Sequence, residues 1–180
     1  MPRHRRRRVR TVAISRPKYS SENVGFSGFI ENPGTSPDSY GHLEVPIIPP
    51  MDAFGRRKCK YFTLTISALY SDRISGGTTV QNDRPLVYFA LVFVPEGTVP
   101  NGLNLSSGNN VSSYYEPNQN VIMQGCFDSK TIYRFRSRLS RNLNSNDSIY
   151  LVVRDRLTNG STTDRIVTQF TFTVNYAISF

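Results

Sequence analysis

The sequence has no tryptophan, only two cysteines, two histidines and three methionines in 180 residues. Cys59 and Cys126 are far apart and form no CxxC pair, so neither a disulfide framework nor a zinc site is signalled. Both read as small buried hydrophobes. His4 and His42 have no metal-ligand spacing around them. A GxxxxGK(S/T) phosphate loop, a GxSxG elbow and an HExxH helix are all missing, and the carboxylates are scattered singly. That leaves no constellation for acid–base, nucleophilic or metal catalysis, so the expectation is a non-enzyme with no cofactor. The longest apolar run, Leu86 to Pro95, is too short to span a bilayer, and no membrane insertion is expected. Val9 to Tyr19 is broken by Arg10, Arg16, Pro17 and Lys18, which leaves no secretory h-region and suggests a soluble protein made inside the cell. On that ground the Asn-x-Ser sequons at Asn104, Asn110, Asn146 and Asn159 read as products of Asn/Ser-rich loops, not as glycan acceptors.

Acidic residues are also missing from one place in particular. The chain carries 22 Lys plus Arg against 13 Asp plus Glu, a formal charge of +9. Residues 1–18 hold Arg3, Arg5, Arg6, Arg7, Arg8, Arg10, Arg16 and Lys18 and no carboxylate. Taking these eight from 22 leaves 14 basic against 13 acidic residues in 19–180, a net of +1. The charge therefore resides in the tail. Like charges repel and bury no apolar area, so residues 1–18 are expected to form a disordered arm ordered only by a polyanion, with 19–180 as a single domain.

What the body does have is period-2 alternation, with no sustained helical period. Ile166, Thr168, Phe170, Phe172, Val174, Tyr176 and Ile178 line one face of a long C-terminal strand. Phe62, Leu64, Ile66, Ala68 and Tyr70 line one face of another, with Tyr61, Thr63, Thr65 and Ser67 opposite. Leu86 to Val94 is apolar throughout, as in a central strand covered on both sides. Further strands are expected at 24–30, 41–48, 120–127, 130–138 and 147–154. Asn159-Gly160 reads as a hairpin turn between the last two strong strands. Residues 96–118 form a long loop with room for a short helical turn. About eight antiparallel strands in one domain fit an all-β sandwich, specifically a single eight-stranded jelly roll with a basic N-terminal arm. An immunoglobulin-like sandwich lacks the Cys…Trp…Cys pattern.

Three basic clusters are candidate nucleic-acid contacts. The arm, Arg3 to Lys18, would bind phosphate without reading sequence. At roughly 0.7 units of log K per neutralised phosphate, eight contacts with a single strand give a salt slope of about −5 to −6. Arg3, Arg5, Arg6, Arg7, Arg8 and Arg10 also have the composition of a nuclear localisation signal. Arg134, Arg136 and Arg138 fall on one face of a strand, roughly 6–7 Å apart, where they either meet phosphate or stay solvated or paired with carboxylates. Arg56, Arg57, Lys58 and Lys60 precede a strong strand. They either extend the same basic wall or serve as a charged lead-in that protects a strand edge. Tyr114-Tyr115 in the long loop could stack on bases or pack at a contact. These features leave open a cellular nucleic-acid-binding protein with a basic tail, of ribosomal type. They also leave open a viral DNA movement or shuttle protein and, more distantly, a carbohydrate-binding module.

Three stretches narrow the choice. They are Val94-Pro95-Glu96-Gly97-Thr98 with Pro100-Asn101 and Leu103-Asn104; Tyr115-Glu116-Pro117-Asn118-Gln119 into Asn120-Val121-Ile122; and Ser137-Arg138-Leu139-Ser140-Arg141-Asn142-Leu143-Asn144. With the arginine-rich start, in this order, they resemble the capsid (coat) proteins of small circular single-stranded DNA viruses that encode a replication initiator, the group around circoviruses and nanoviruses. The resemblance spans most of 1–155. It implies a jelly-roll shell domain and self-assembly into the smallest (T=1) icosahedral shell, of about 60 copies. It also implies an interior basic arm, residence in the virion and the host nucleus, recognition by host import factors, and packaging of circular single-stranded DNA. The arm is short beside those of circovirus capsids, which shifts attention to Arg134, Arg136 and Arg138 on the wall.

Overall fold

A computed structural model describes residues 18–32, 40–52, 55–71, 74–75, 78–79, 86–100, 120–128, 131–156 and 166–179. Among them there is no helix, and hence none long and apolar enough to cross a membrane. The strands are β1 (Ser20–Asn32), β2 (Tyr40–Ile48), β3 (Arg57–Ser71), β4 (Ile74–Ser75), β5 (Thr78–Thr79), β6 (Leu86–Val94), β7 (Asn120–Asp128), β8 (Tyr133–Ser137), β9 (Arg141–Leu143), β10 (Ser148–Arg156) and β11 (Ile166–Ser179).

Nine of these strands form two antiparallel sheets. The first runs β1-β11-β3-β8, with β9 also pairing with β3; the second runs β2-β10-β6-β7; β4 and β5 form a separate ribbon. The eight strands expected from alternation are all present, and the additions are the short β4, β5 and β9. Alternation dictates which face each strand buries. On β3, Phe62, Leu64, Ile66 and Ala68 point inward; on β11, Thr168, Phe170, Phe172, Val174, Tyr176 and Ile178 do. They meet Val87, Phe89 and Leu91 of β6 and Ile149, Leu151 and Val153 of β10, so one core lies between the sheets, as a β-sandwich requires. Each of the large, fully buried side chains Phe62, Phe89, Phe170 and Phe172 contributes about 1.5–3 kcal/mol by leaving water.

Polar and aromatic ties fix how the sheets face each other. Thr168 on β11 donates its hydroxyl to Asp155 Oδ2 on β10 at 2.8 Å, both residues fully buried. At the β7–β8 end, the Phe89 and Phe135 rings lie 4.5 Å apart, with Phe127 and Tyr133 completing the cluster. Gly125 makes room for that packing, since a Cβ there would stand 2.9 Å from the Phe89 ring and 3.1 Å from the Phe135 ring.

Two expectations are corrected. β10 and β11 are not a hairpin: β10 pairs with β2 and β6 and β11 with β1 and β3, so the connection through Asn159-Gly160, itself outside the described residues, crosses between sheets. The crossing lets both apolar faces enter one core from opposite sides. Cys59 is fully buried, as expected, but Cys126 is exposed. It pairs in register with Tyr88, on the side of the edge strand β7 that turns away from the main core.

The two outer faces of the sandwich differ. On the second sheet Tyr88, Ala90, Val92, Val94 and Val152 form a further buried cluster, so β6 is covered on both sides, as its unbroken apolar sequence predicts. The outer face of the first sheet carries Ser27, Thr63, Thr65, Ser67, Thr171, Thr173 and Asn175, partly or fully exposed. Of the two faces, this is the open one.

Candidate nucleic-acid interface

β8 is the edge strand of the open sheet, and its side chains alternate. Tyr133, Phe135 and Ser137 turn inward, the two rings into the core and the Ser137 hydroxyl onto the Ile122 carbonyl at 2.9 Å. Arg134 and Arg136 therefore turn outward and are exposed, as is Arg138 just past the strand. Register places Arg136 beside Thr63 and Arg134 beside Thr65. The rows continue across the sheet as Asn175 to Asn23 and Thr173 to Gly25. The result is a field of hydroxyls and amides edged by guanidinium groups.

A second set of cations joins them from β3. Lys58 and Lys60 alternate with the buried Arg57 and Cys59, so they too face outward; Lys58 pairs with Asn142 and with Ser179. Between Lys60 and Phe62 the alternation changes phase. Register with β11 slips between Asn175 and Ala177, and Tyr61 takes φ +59°, so a β-bulge leaves the Tyr61 ring outside and 59 % exposed while Phe62 is fully buried. The Lys60 ammonium stands over two rings, 3.6 Å from the centroid of Tyr19 and 4.7 Å from that of Tyr61.

Tyr19 is the residue before β1, and Lys18, exposed, precedes it. The chain thus enters the sheet at the end where Lys58, Lys60, Arg136 and Arg138 cluster. No described carboxylate stands among these cations. Glu22 belongs to the inward set of β1, paired with the buried Tyr176, and Glu44, Asp52, Glu96, Asp128, Asp147 and Asp155 lie on the second sheet or in its loops. Glu31 lies at the far end of β1, eight residues from Asn23, roughly 26 Å along the strand. Toward that far end the face holds a shallow groove of about 320 Å³ lined by Ser27, Phe29, Ser67, Leu69, Gln169 and Thr171, with no cation among them.

The candidate residues of the sequence are therefore sorted by the fold. Arg56, Lys58, Arg134, Arg136 and Arg138 are exposed, and Lys60 is half-buried under its two rings. Arg57 is 3 % exposed and does not belong with them. Its Nη2 donates to the carbonyls of Asp147 at 3.1 Å and Asn144 at 3.4 Å. The Asp147 carboxylate in turn accepts the Asn144 N–H at 2.7 Å and the Glu96 N–H at 3.1 Å, so these groups pin the turn before β10 to the turn after β6. Arg3 to Arg16, including the nuclear-signal residues, and Tyr114-Tyr115 lie outside the described residues. Tyr61 is an exposed aromatic beside these cations that sequence reasoning did not single out. Its signal was there, a lone aromatic on the polar side of an alternating strand, directly after Lys60.

Among the described residues no group of His, Cys, Asp and Glu could hold a metal. Burial pushes the Cys59 thiol up from 9.0 to about 11, against the opposing pull of the Arg57 charge, so it stays protonated at neutral pH. Burial likewise raises Tyr176 to about 12, helped by the neighbouring Cys59 and Glu22 and opposed by Arg57. No protein-family profile matches the chain, and no curated protein does.

Proposed function

We propose that this chain is a viral coat protein whose subunits close into a small icosahedral shell around circular single-stranded DNA. The observation that carries the reading is the place where the arm joins the fold. Eight cations in residues 1–18 lead into the end of an open sheet that displays Lys58, Lys60, Arg134, Arg136 and Arg138 with no described carboxylate among them. Tail and wall form one electrostatic footprint that attracts phosphate without reading sequence.

The strand orders support the finer architecture. Orders β1-β11-β3-β8 and β2-β10-β6-β7 place successive long strands in opposite sheets, apart from the neighbours β6 and β7. Such alternation between sheets is what an eight-stranded jelly roll, a fold common in viral shells, would produce, and it supports that reading. With the open sheet turned inward, the cations would line the shell's interior and the arm would hang into the packaged DNA. Individually weak contacts between subunits would be multiplied by symmetry. That the packaged strand is circular DNA, that Arg3 to Arg10 engage host import factors, and that the protein passes through the host nucleus to the virion all rest on the resemblance of the three sequence stretches.

Electron microscopy of the purified full chain, with nuclease digestion before extraction of nucleic acid, tests the reading. The expected result is closed particles of uniform diameter that protect single-stranded DNA. A monomer that binds nucleic acid without forming particles would instead indicate a cellular nucleic-acid-binding protein or a viral shuttle protein.

A further inference from the structure

We infer that Tyr61 is a base-stacking platform for single-stranded DNA, on which one base rests while Lys60, Arg136 and Arg138 hold the flanking phosphates. The inference deepens the proposed function and rests on it, because it names a residue that would contact the bases on the same open face.

Tyr61 combines features that packing does not explain. Its ring is 59 % exposed at the cation-bearing end of the face, where its register neighbours are Thr63, Asn175 and Asn23; the other exposed apolar side chains of the face, Phe29 and Leu69, lie at the opposite end, away from the cations. It is held there by a bulge, a device that re-aims a side chain, and its φ of +59° lies in the left-handed region that large L-residues enter at a cost. Asparagine or glycine would take that conformation more easily, so folding alone does not call for tyrosine. The Lys60 ammonium stands over the ring, 4.7 Å from its centroid, and so places a positive charge against it. Register puts Thr63, two residues on, beside Arg136. An aromatic face flanked by cations is what a single strand needs, since every base has a face to stack and every nucleotide a phosphate to neutralise.

The backbone geometry also makes the test clean. Tyr61→Asn should fold at least as stably as the wild type, which a thermal melt of the full chain checks, while removing the ring. Binding is compared for a dT oligonucleotide and for an abasic strand of equal length, at salt high enough to screen most of the arm's attraction. The wild type should favour dT over the abasic strand by about tenfold. Tyr61→Asn should lose that preference while keeping its affinity for the abasic strand, and Tyr61→Phe should retain the preference. A dT preference that survives in Tyr61→Asn overturns the inference, as does a wild type that binds both strands equally. Normal DNA binding by Tyr61→Asn combined with failure to form particles also overturns it, and makes the ring a contact between subunits. If the wild type binds neither strand even at low salt, the proposed function itself fails.

Discussion

At the scale of single residues, the two neighbours Arg56 and Arg57 show how position decides what an arginine does. Arg56 is exposed at the start of β3, where its charge is free to meet an anion. Arg57, one residue on, faces inward and uses its guanidinium to bind the carbonyls of Asp147 and Asn144. Burying a guanidinium is tolerable only because it is bonded, and removing it leaves acceptors buried without donors. Arg57→Gln should therefore cost about 1–3 kcal/mol in urea unfolding. Arg56→Gln should stay within about 0.5 kcal/mol of wild type and weaken nucleic-acid binding instead. Equal effects of the two substitutions on stability would show that Arg57 has no structural role.

At the scale of elements, β8 serves both sides of its sheet. The inward Phe135 packs on Phe89, so the strand is anchored by its aromatic face, and the outward Arg134 and Arg136 are held about 6–7 Å apart by the pleat. Because these outward side chains are exposed, the triple substitution Arg134→Gln, Arg136→Gln, Arg138→Gln should leave the melting temperature nearly unchanged. Each lost phosphate contact lowers the magnitude of the single-strand salt slope by about 0.7, so the three together should lower it by roughly 2. A titration of binding against salt reads this directly. A wild-type slope in the triple variant would mean that the row does not meet phosphate, and insoluble protein would mean that it is a structural ion-pair network.

The same elements show what alternation can and cannot reveal. Strand identity and buried face were legible in β3 and β11, because a half-buried strand writes its two environments into alternate positions, and the unbroken apolar run of β6 revealed a strand covered on both sides. The bulge at Tyr61 was less visible: it shows in the structure because Cys59 and Phe62, three apart, are both buried, which a regular strand covered on one side cannot do. The burial of Arg57 follows from that phase change, which is why it read as one of a basic quartet. The crossing of β10 to β11 between sheets was hidden for another reason. Asn-Gly fixes a local turn preference, whereas which sheet a strand joins is decided by the shared core, here by Asp155 and Thr168 meeting across it. Cys126 was misjudged on similar grounds, since residue type does not reveal which side of an edge strand faces water.

At the scale of the whole molecule, charge and fold are segregated. Residues 19–180 are nearly neutral at +1, and eight cations sit in the 18 residues before them. Among the described residues the core spanning both sheets begins with Val24, Phe26 and Ile30 of β1. Folding and nucleic-acid binding are then separable functions of one chain. Deleting residues 1–17 should leave the melting temperature within a few degrees of wild type, since the described core is built from residue 24 onward. It should also remove most of the salt-dependent affinity, leaving the wall cations with a slope of about −3 to −4 if Lys58, Lys60, Arg134, Arg136 and Arg138 each meet a phosphate. In the proposed shell the two contributions cooperate: the arm gathers the strand and the wall seats it, each raising the effective concentration for the other. Particles of the deletion variant should accordingly form empty or not at all. If they instead carried as much DNA as wild type, the arm would not be the packaging element, and its basic residues would be left with nuclear entry as their role.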